Sequence, residues 1–341
     1  MNRKDKTMAD TYTQVKDINV NITIAAAAGS VGLGYPLVIS GMAEKEVAYT
    51  ECASITEVVA AGFDAESEVY KACEVIFGQA NKPKTVAVVA TTGKVAEWLT
   101  ANITKGYRQI VPVLGTEDST VAELAAFVAT TDDKMLFVAV KTTDELPQTQ
   151  SERVVAVVYG GESAYPNAAV VGASAGLAAG SFTYKNLVLT GIVPEALTVG
   201  EVKTIHDAGA ICILKKAGDV VTSEGITTDG EYIDIVDSKD YIVSNIVYQG
   251  QKLLNSSKKL AFDNTGISQL ENVVMGVLAD AYANGIIATN EDGTPAYSTD
   301  FASRAETSDS DRATRTYNGG KFTFDLAGAI HNATINGTIE V

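Results

Sequence analysis

The chain has 341 residues, 46% apolar and 20% charged, with a formal net charge of −16. That is ordinary globular usage with length for two or three domains, so bulk disorder is not expected. A surface this acidic repels phosphate backbones and anionic lipid, which argues against nucleic acid and membrane as partners.

Three cysteines, Cys52, Cys73 and Cys212, are widely spaced and form no C-x-x-C pair. Neither a disulfide framework nor a thiolate metal site follows from them, and a reducing compartment is the natural setting. The opening MNRKDKTMAD leads into polar sequence, not an apolar signal core. The longest apolar runs are far too short for a membrane span.

In TYTQVKDINVNITI, Ile18, Val20, Ile22 and Ile24 fall on one face and Asp17, Asn19, Asn21 and Thr23 on the other. That period of two predicts a half-buried strand. The glycines of GSVGLG (29–34) precede a strand instead of following one, so a hinge is expected there and not a phosphate loop.

From YPLVIS (35–40) onward the reading is α/β. An amphipathic helix at 67–78, TVAVVA (85–90), a helix around VAEWLTANI, IVPVLG (110–115), a helix boxed by Thr120 and Glu123, MLFVAV (135–140) and SERVVAVVYG (151–160) follow in turn. Such alternation predicts parallel strands joined by crossover helices, with 83–193 as a small open α/β domain.

Beyond residue 198 the texture changes. Thr198 and Glu201 cap a helix that stops near Gly209, and Ala217-Gly218 turns a hairpin. YIDIV (232–236) is expected as a strand, followed by a helix opened by Ser238 with Ile242, Ile246 and Leu253 on one stripe. Ser268 and Glu271 box a further helix, and a polar stretch then forms a long ordered loop or β-excursion before KFTFDLAG.

The end, GAIHNATINGTIEV, again alternates: Ala329, His331, Ala333, Ile335, Ile339 and Val341 share one face. Both ends are thus strand candidates whose backbone groups need partners. Pairing within the subunit and addition to another chain's sheet are both open on periodicity alone.

Catalytic signals are thin. Gly172-Ala173-Ser174-Ala175-Gly176 is a literal G-x-S-x-G, with His331 downstream in hydrolase order, giving an α/β-hydrolase-like serine esterase on Ser174 and His331 as the alternative. No oxyanion element precedes it, and Pro166-Asn167 leaves little room for a central strand. The two histidines, His206 and His331, have no neighbour at ligand spacing, and no calcium loop is present, so no metal and no cofactor is expected.

GEVKTIHDAGAICILKK, EYIDIVDSKDYIVSNIVYQGQKLL and DRATRTYNGGKFTFDLAGAIHNATINGTIEV together resemble the C-terminal core of contractile tail sheath proteins of myophages and R-type bacteriocins, including the clostridial kind. The resemblance implies an N-terminal arm and linker over 1–28, an α/β outer domain over 29–195, an α+β sheath core over 196–327 and a C-terminal strand arm over 328–341. It further implies a non-enzymatic homo-oligomer, stacked in rings around an inner tail tube, contacting baseplate and tail terminator proteins. Such a subunit is made in the bacterial cytoplasm and released in a phage tail or tail-like particle. The arms would place Ile18, Val20, Ile22, Ile24, Ala333, Ile335, Ile339 and Val341 on neighbouring sheets. Glu271, Asp280, Arg312 and Arg315 are the candidates to face the tube.

Overall fold

Residues 32–113 and 121–335 are described in the computed structural model. Six strands form one sheet: β1 (Tyr35–Ser40), β2 (Val47–Cys52), β3 (Val86–Ala90), β4 (Tyr107–Val113), β5 (Met135–Val140) and β6 (Val154–Val158). Their spatial order is β2–β3–β1–β4–β5–β6, parallel throughout except for β2, which lies antiparallel at one edge. A parallel strand covered on both faces has no solvent side and reads as a continuous apolar run. Every residue of β3, β4 and β6 is accordingly buried. The expected alternation therefore holds, and the sheet also takes in β1 and β2, upstream of residue 83.

Helices α1 (Ile55–Ala61), α2 (Glu68–Phe77) and α5 (Pro166–Ser174) cover one face, with Val58, Cys73, Ile76 and Val170 packed against Val38, Val88 and Val111. Helices α3 (Val95–Ala101), α4 (Val121–Val128) and α6 (Val199–Asp207) cover the other, where Leu99, Leu124 and Ile205 meet Leu37, Ile39 and Ile110. The Thr198–Glu201 box caps α6 with both reciprocal hydrogen bonds in place. Thr120 lies outside the described residues.

Strands β7 (Ile213–Lys216) and β8 (Asp219–Thr222) form the expected hairpin. Ala217 and Gly218 turn it with φ of 51° and 103°, as a two-residue turn with positive φ at both central positions requires. Ile211 bridges to Val157, and Ile213, Ile226 and Val236 join the first sheet core. The expected division at 195/196 thus falls within a stretch whose flanking residues share the sheet's two cores.

A third core holds α7 (Ile233–Ser256), α8 (Asn264–Ala283), the hairpin of β9 (Tyr297–Phe301) and β10 (Gly320–Phe324), and the short α9 (Asp309–Thr314) close by. Here the sequence reading needs two corrections. YIDIV is not a strand: Tyr232 is the N-cap of α7, Ile233 and Val236 lie on its buried side, and Ser238 is inside the helix. Five apolar-rich residues fit either period. The N-cap of helix α8 lies five residues before Ser268, at Asp263, whose side chain accepts from the Gly266 N–H. Val274, Val277, Leu278 and Ala281 point inward, as read.

Buried charge ties α7 to the sheet. Asp237 and Asp240 on α7 receive the guanidinium of Arg108 on β4, and Arg153 at the start of β6 also reaches Asp240.

Candidate assembly surface

The β9–β10 hairpin is a sheet of two strands only, among the described residues. Its register pairs Phe301 with Gly320, Thr299 with Phe322 and Tyr297 with Phe324. The Ala302 N–H donates to Gly319 O and the Asp325 N–H to Ala296 O, which fixes the ladder's phase. Hydrogen-bonded pairs alternate along an antiparallel ladder. Asp300–Lys321 and Ser298–Thr323 are therefore bonded pairs, while Thr299 and Phe322 aim their backbone N–H and C=O groups outward, to opposite edges. One face of the hairpin sits on α8, where Thr299 Oγ1 donates to Glu271 Oε1 at 2.7 Å. The result is a short, well-seated template with two edges that no described strand covers.

Past β10, Asp325 O accepts from the Ala288 N–H, and the Ala327 N–H donates to Ile286 O in the last backbone–backbone hydrogen bond of the chain among the described residues. Residues 328–335 are neither helix nor strand. Ile330 is 88% exposed and Ile335 92% exposed, and Ala333 is exposed as well. The strand period read in this segment thus has no partner among the described residues. Ile339 and Val341, like Ile18, Val20, Ile22 and Ile24, lie outside the described residues.

The esterase alternative is overturned. A nucleophile elbow needs a strand–turn–helix with the serine exposed at its tip. Ser174 is instead the last residue of α5, is 2% exposed, and donates its hydroxyl to Val170 O at 2.8 Å. His331 turns its two ring nitrogens to Thr183 and Glu224. The glycines of the motif have a packing explanation. A Cβ on Gly172 would come within 2.6 Å of Ile76 O, and one on Gly176 would collide with Asn81 O. They are the small residues that let α5 lie against the end of α2.

Thr91-Thr92-Gly93-Lys94, which resembles half a phosphate loop, has a structural role: Lys94 is the N-cap residue of α3, with Nζ 3.2 Å from Glu123. Among the described residues no group of three or more His, Cys, Asp or Glu could hold a metal ion, and no helix is long and apolar enough to cross a membrane.

The four residues picked out to face a tube do not form one cluster. Glu271 and Asp280 are nine residues apart on α8, about half a turn out of phase. Glu271 faces β9, and Asp280 is exposed. Arg312 spends its guanidinium on Arg304 O, Thr307 and Asp309, bracing α9. Arg315 caps α9 in the left-handed conformation, at φ 58°. Both arginines line a groove of about 780 Å³ whose floor includes Leu254, Phe262 and Ile267.

Neither a protein-family model nor a curated protein matches this chain in sequence. Solved structures match it over nearly all its length. A chain of the anti-feeding prophage baseplate superposes with a TM-score of 0.72 at 12% identity, covering 99% of this chain and 100% of its own. A chain of an extracellular contractile injection system, from the PVC sheath complex in its contracted state, gives 0.71 at 12% identity, covering 98% and 99%. The sheath tail protein of Listeria innocua gives 0.59 at 12% identity, covering 78% and 88%. The chain has the fold of contractile-sheath proteins, the mixed α/β architecture anticipated from its sequence.

Proposed function

We propose that this chain is the structural sheath subunit of a contractile injection system, of phage-tail or phage-tail-like kind. It would polymerise as stacked rings around an inner tube and, on contraction, drive that tube through a target envelope. The observation that carries the proposal is the pairing of a hairpin, β9–β10, that is two-stranded among the described residues with a period-two chain end whose described part, 328–335, joins no strand. A likeness spanning whole chains of sheath and baseplate assemblies supports it.

In this reading residues 328–341, and the similar strand in residues 1–28, leave the subunit and add to hairpins of neighbours. Heterologous contacts of that kind close into rings or propagate as helices. Residues 196–327 form the core that meets the tube, with Glu271, Asp280, Arg312 and Arg315 as contact candidates, and 29–195 faces outward. The role is mechanical, not catalytic: two packings of the same subunits suffice for contraction. Baseplate and terminator proteins are the partners at the two ends. Assembly would take place in the bacterial cytoplasm before release of the particle.

The test is negative-stain electron microscopy of the purified full chain beside a chain ending at Leu326. Tubes or rings from the first and dispersed, folded particles from the second are expected. Dispersed particles from both would overturn the proposal.

A further inference from the structure

Across residues 328–335 the chain runs in the open and makes no backbone–backbone hydrogen bond. One residue departs from this pattern. The His331 side chain is 11% exposed, with Nε2 3.0 Å from Thr183 Oγ1 and Nδ1 2.7 Å from Glu224 Oε1. The second contact is a close approach without the geometry of a hydrogen bond. The imidazole also stands edge-on to Tyr232, with ring centroids 4.8 Å apart.

The seat has an ion pair of its own. Lys185 Nζ holds the other Glu224 oxygen at 2.6 Å, and the Lys185–Glu224 pair is largely buried. Among the described residues the segment's other side-chain hydrogen bond is a long one, from Lys185 Nζ to Asn332 Oδ1 at 3.5 Å. The strap therefore starts on the third core, where Leu326 packs, and ends on the body of the sheet. It crosses a cleft of about 360 Å³ edged by Gly180, Thr183, Asp234 and Ile286.

We propose that His331 is a clasp that sets the free length of the C-terminal segment. Closed, the segment leaves the subunit after residue 331. Open, it leaves after Ala327, and four more residues join the tether, adding roughly 13 Å of reach. A clasp of one hydrogen bond, one close approach to a carboxylate and one ring contact can open while both cores stay folded, as low-stability local openings do. The proposal rests on the reading of 328–341 as an intersubunit arm. In that setting it gives each subunit two arm lengths, and so two spacings to a neighbour that holds the far end.

The three native cysteines are buried, so introduced surface cysteines take spin labels selectively. Labels at Ala333→Cys on the strap and Val199→Cys on the sheet body, both exposed positions, report the strap's distance distribution by pulsed electron resonance. The labelled chain is measured dispersed at low concentration, so the result does not depend on assembly. A narrow distribution is expected in the labelled parent. With His331→Ala added it should broaden and extend by up to roughly 13 Å, with the unfolding midpoint held, and Glu224→Gln, which also unpairs Lys185, should broaden it in the same way at some cost in midpoint. Distributions equal in parent and His331→Ala would overturn the clasp, whatever the assembly assay gives. Failure of the unlabelled chain to form tubes would overturn the arm reading and leave the distance result standing.

Discussion

Arg108 on β4 donates Nη2 to Asp237 Oδ1 at 2.6 Å, deep between the sheet and α7, where the Arg108 side chain is 2% exposed. Its Nη1 reaches Asp240 Oδ2 at 2.5 Å, and Arg153 Nη2 donates to Asp240 Oδ1 at 2.9 Å. Tyr184 donates to the remaining Asp237 oxygen at 3.0 Å. Both carboxylates are thus met on each oxygen, and the α/β sheet and α7 are fixed to each other by directional contacts.

Breaking one side of a buried pair leaves the other charge uncompensated, at a cost of about 3–5 kcal/mol. Arg108→Met is expected to lose that much in urea unfolding, and Asp237→Asn added to it should restore part. A loss under 1 kcal/mol would mean that water reaches the site freely.

Ser174→Ala removes a hydroxyl bonded to its own helix and should change stability by less than about 1 kcal/mol. Gly172→Val should cost about 1–3 kcal/mol through overpacking against Ile76, or more if α5 must shift. The two melting curves separate a packing motif from a catalytic one, because a nucleophile elbow would give the opposite ranking in an esterase assay.

Ile335 is 92% exposed, so Ile335→Ser should leave the unfolding midpoint within about 0.5 kcal/mol. Sedimentation should nonetheless show weaker assembly, because the apolar face offered to a neighbour is interrupted. A large drop in subunit stability would show that Ile335 packs within its own chain.

Burial pushes the Glu224 carboxyl up, but the hydrogen bond and charge of Lys185, with His331 behind them, hold it below the usual carboxylate range. A carboxylate lowered on folding adds stability above its unfolded value, about 4.3, and loses it as pH falls through the lower folded value. Glu224→Gln should therefore flatten the fall in stability below about pH 4, measured as urea midpoints across the acid range. Parallel curves for parent and variant would exclude that coupling.

The parallel sheet was legible because burial on both faces turns β3, β5 and β6 into uninterrupted apolar runs. Strand β2, VAYTEC, carries polar and half-exposed residues at the edge and offers no such signal. Helix α5 is buried at all nine positions, so it shows no helical period and its glycines look like a catalytic turn. The period of two at the chain ends is plain in the sequence, but the described part of the C-terminal segment, 328–335, forms no strand. The hairpin proposed to receive them was half hidden: β10 was readable in KFTFDLAG, but β9, YSTDF, lies inside the polar stretch and alternates only weakly. The seat of His331 comes from Thr183, Glu224 and Tyr232, whose proximity depends on tertiary packing, and no spacing in the sequence points to it.

The most direct test of the account is a helical cryo-EM reconstruction of the assembled chain at a resolution that separates strands. The account predicts that β9–β10 sits within a larger sheet, with residues 328–341 of another subunit hydrogen-bonded along one of its open edges. A hairpin left two-stranded in the assembly, or completed by its own subunit's chain end, would contradict it.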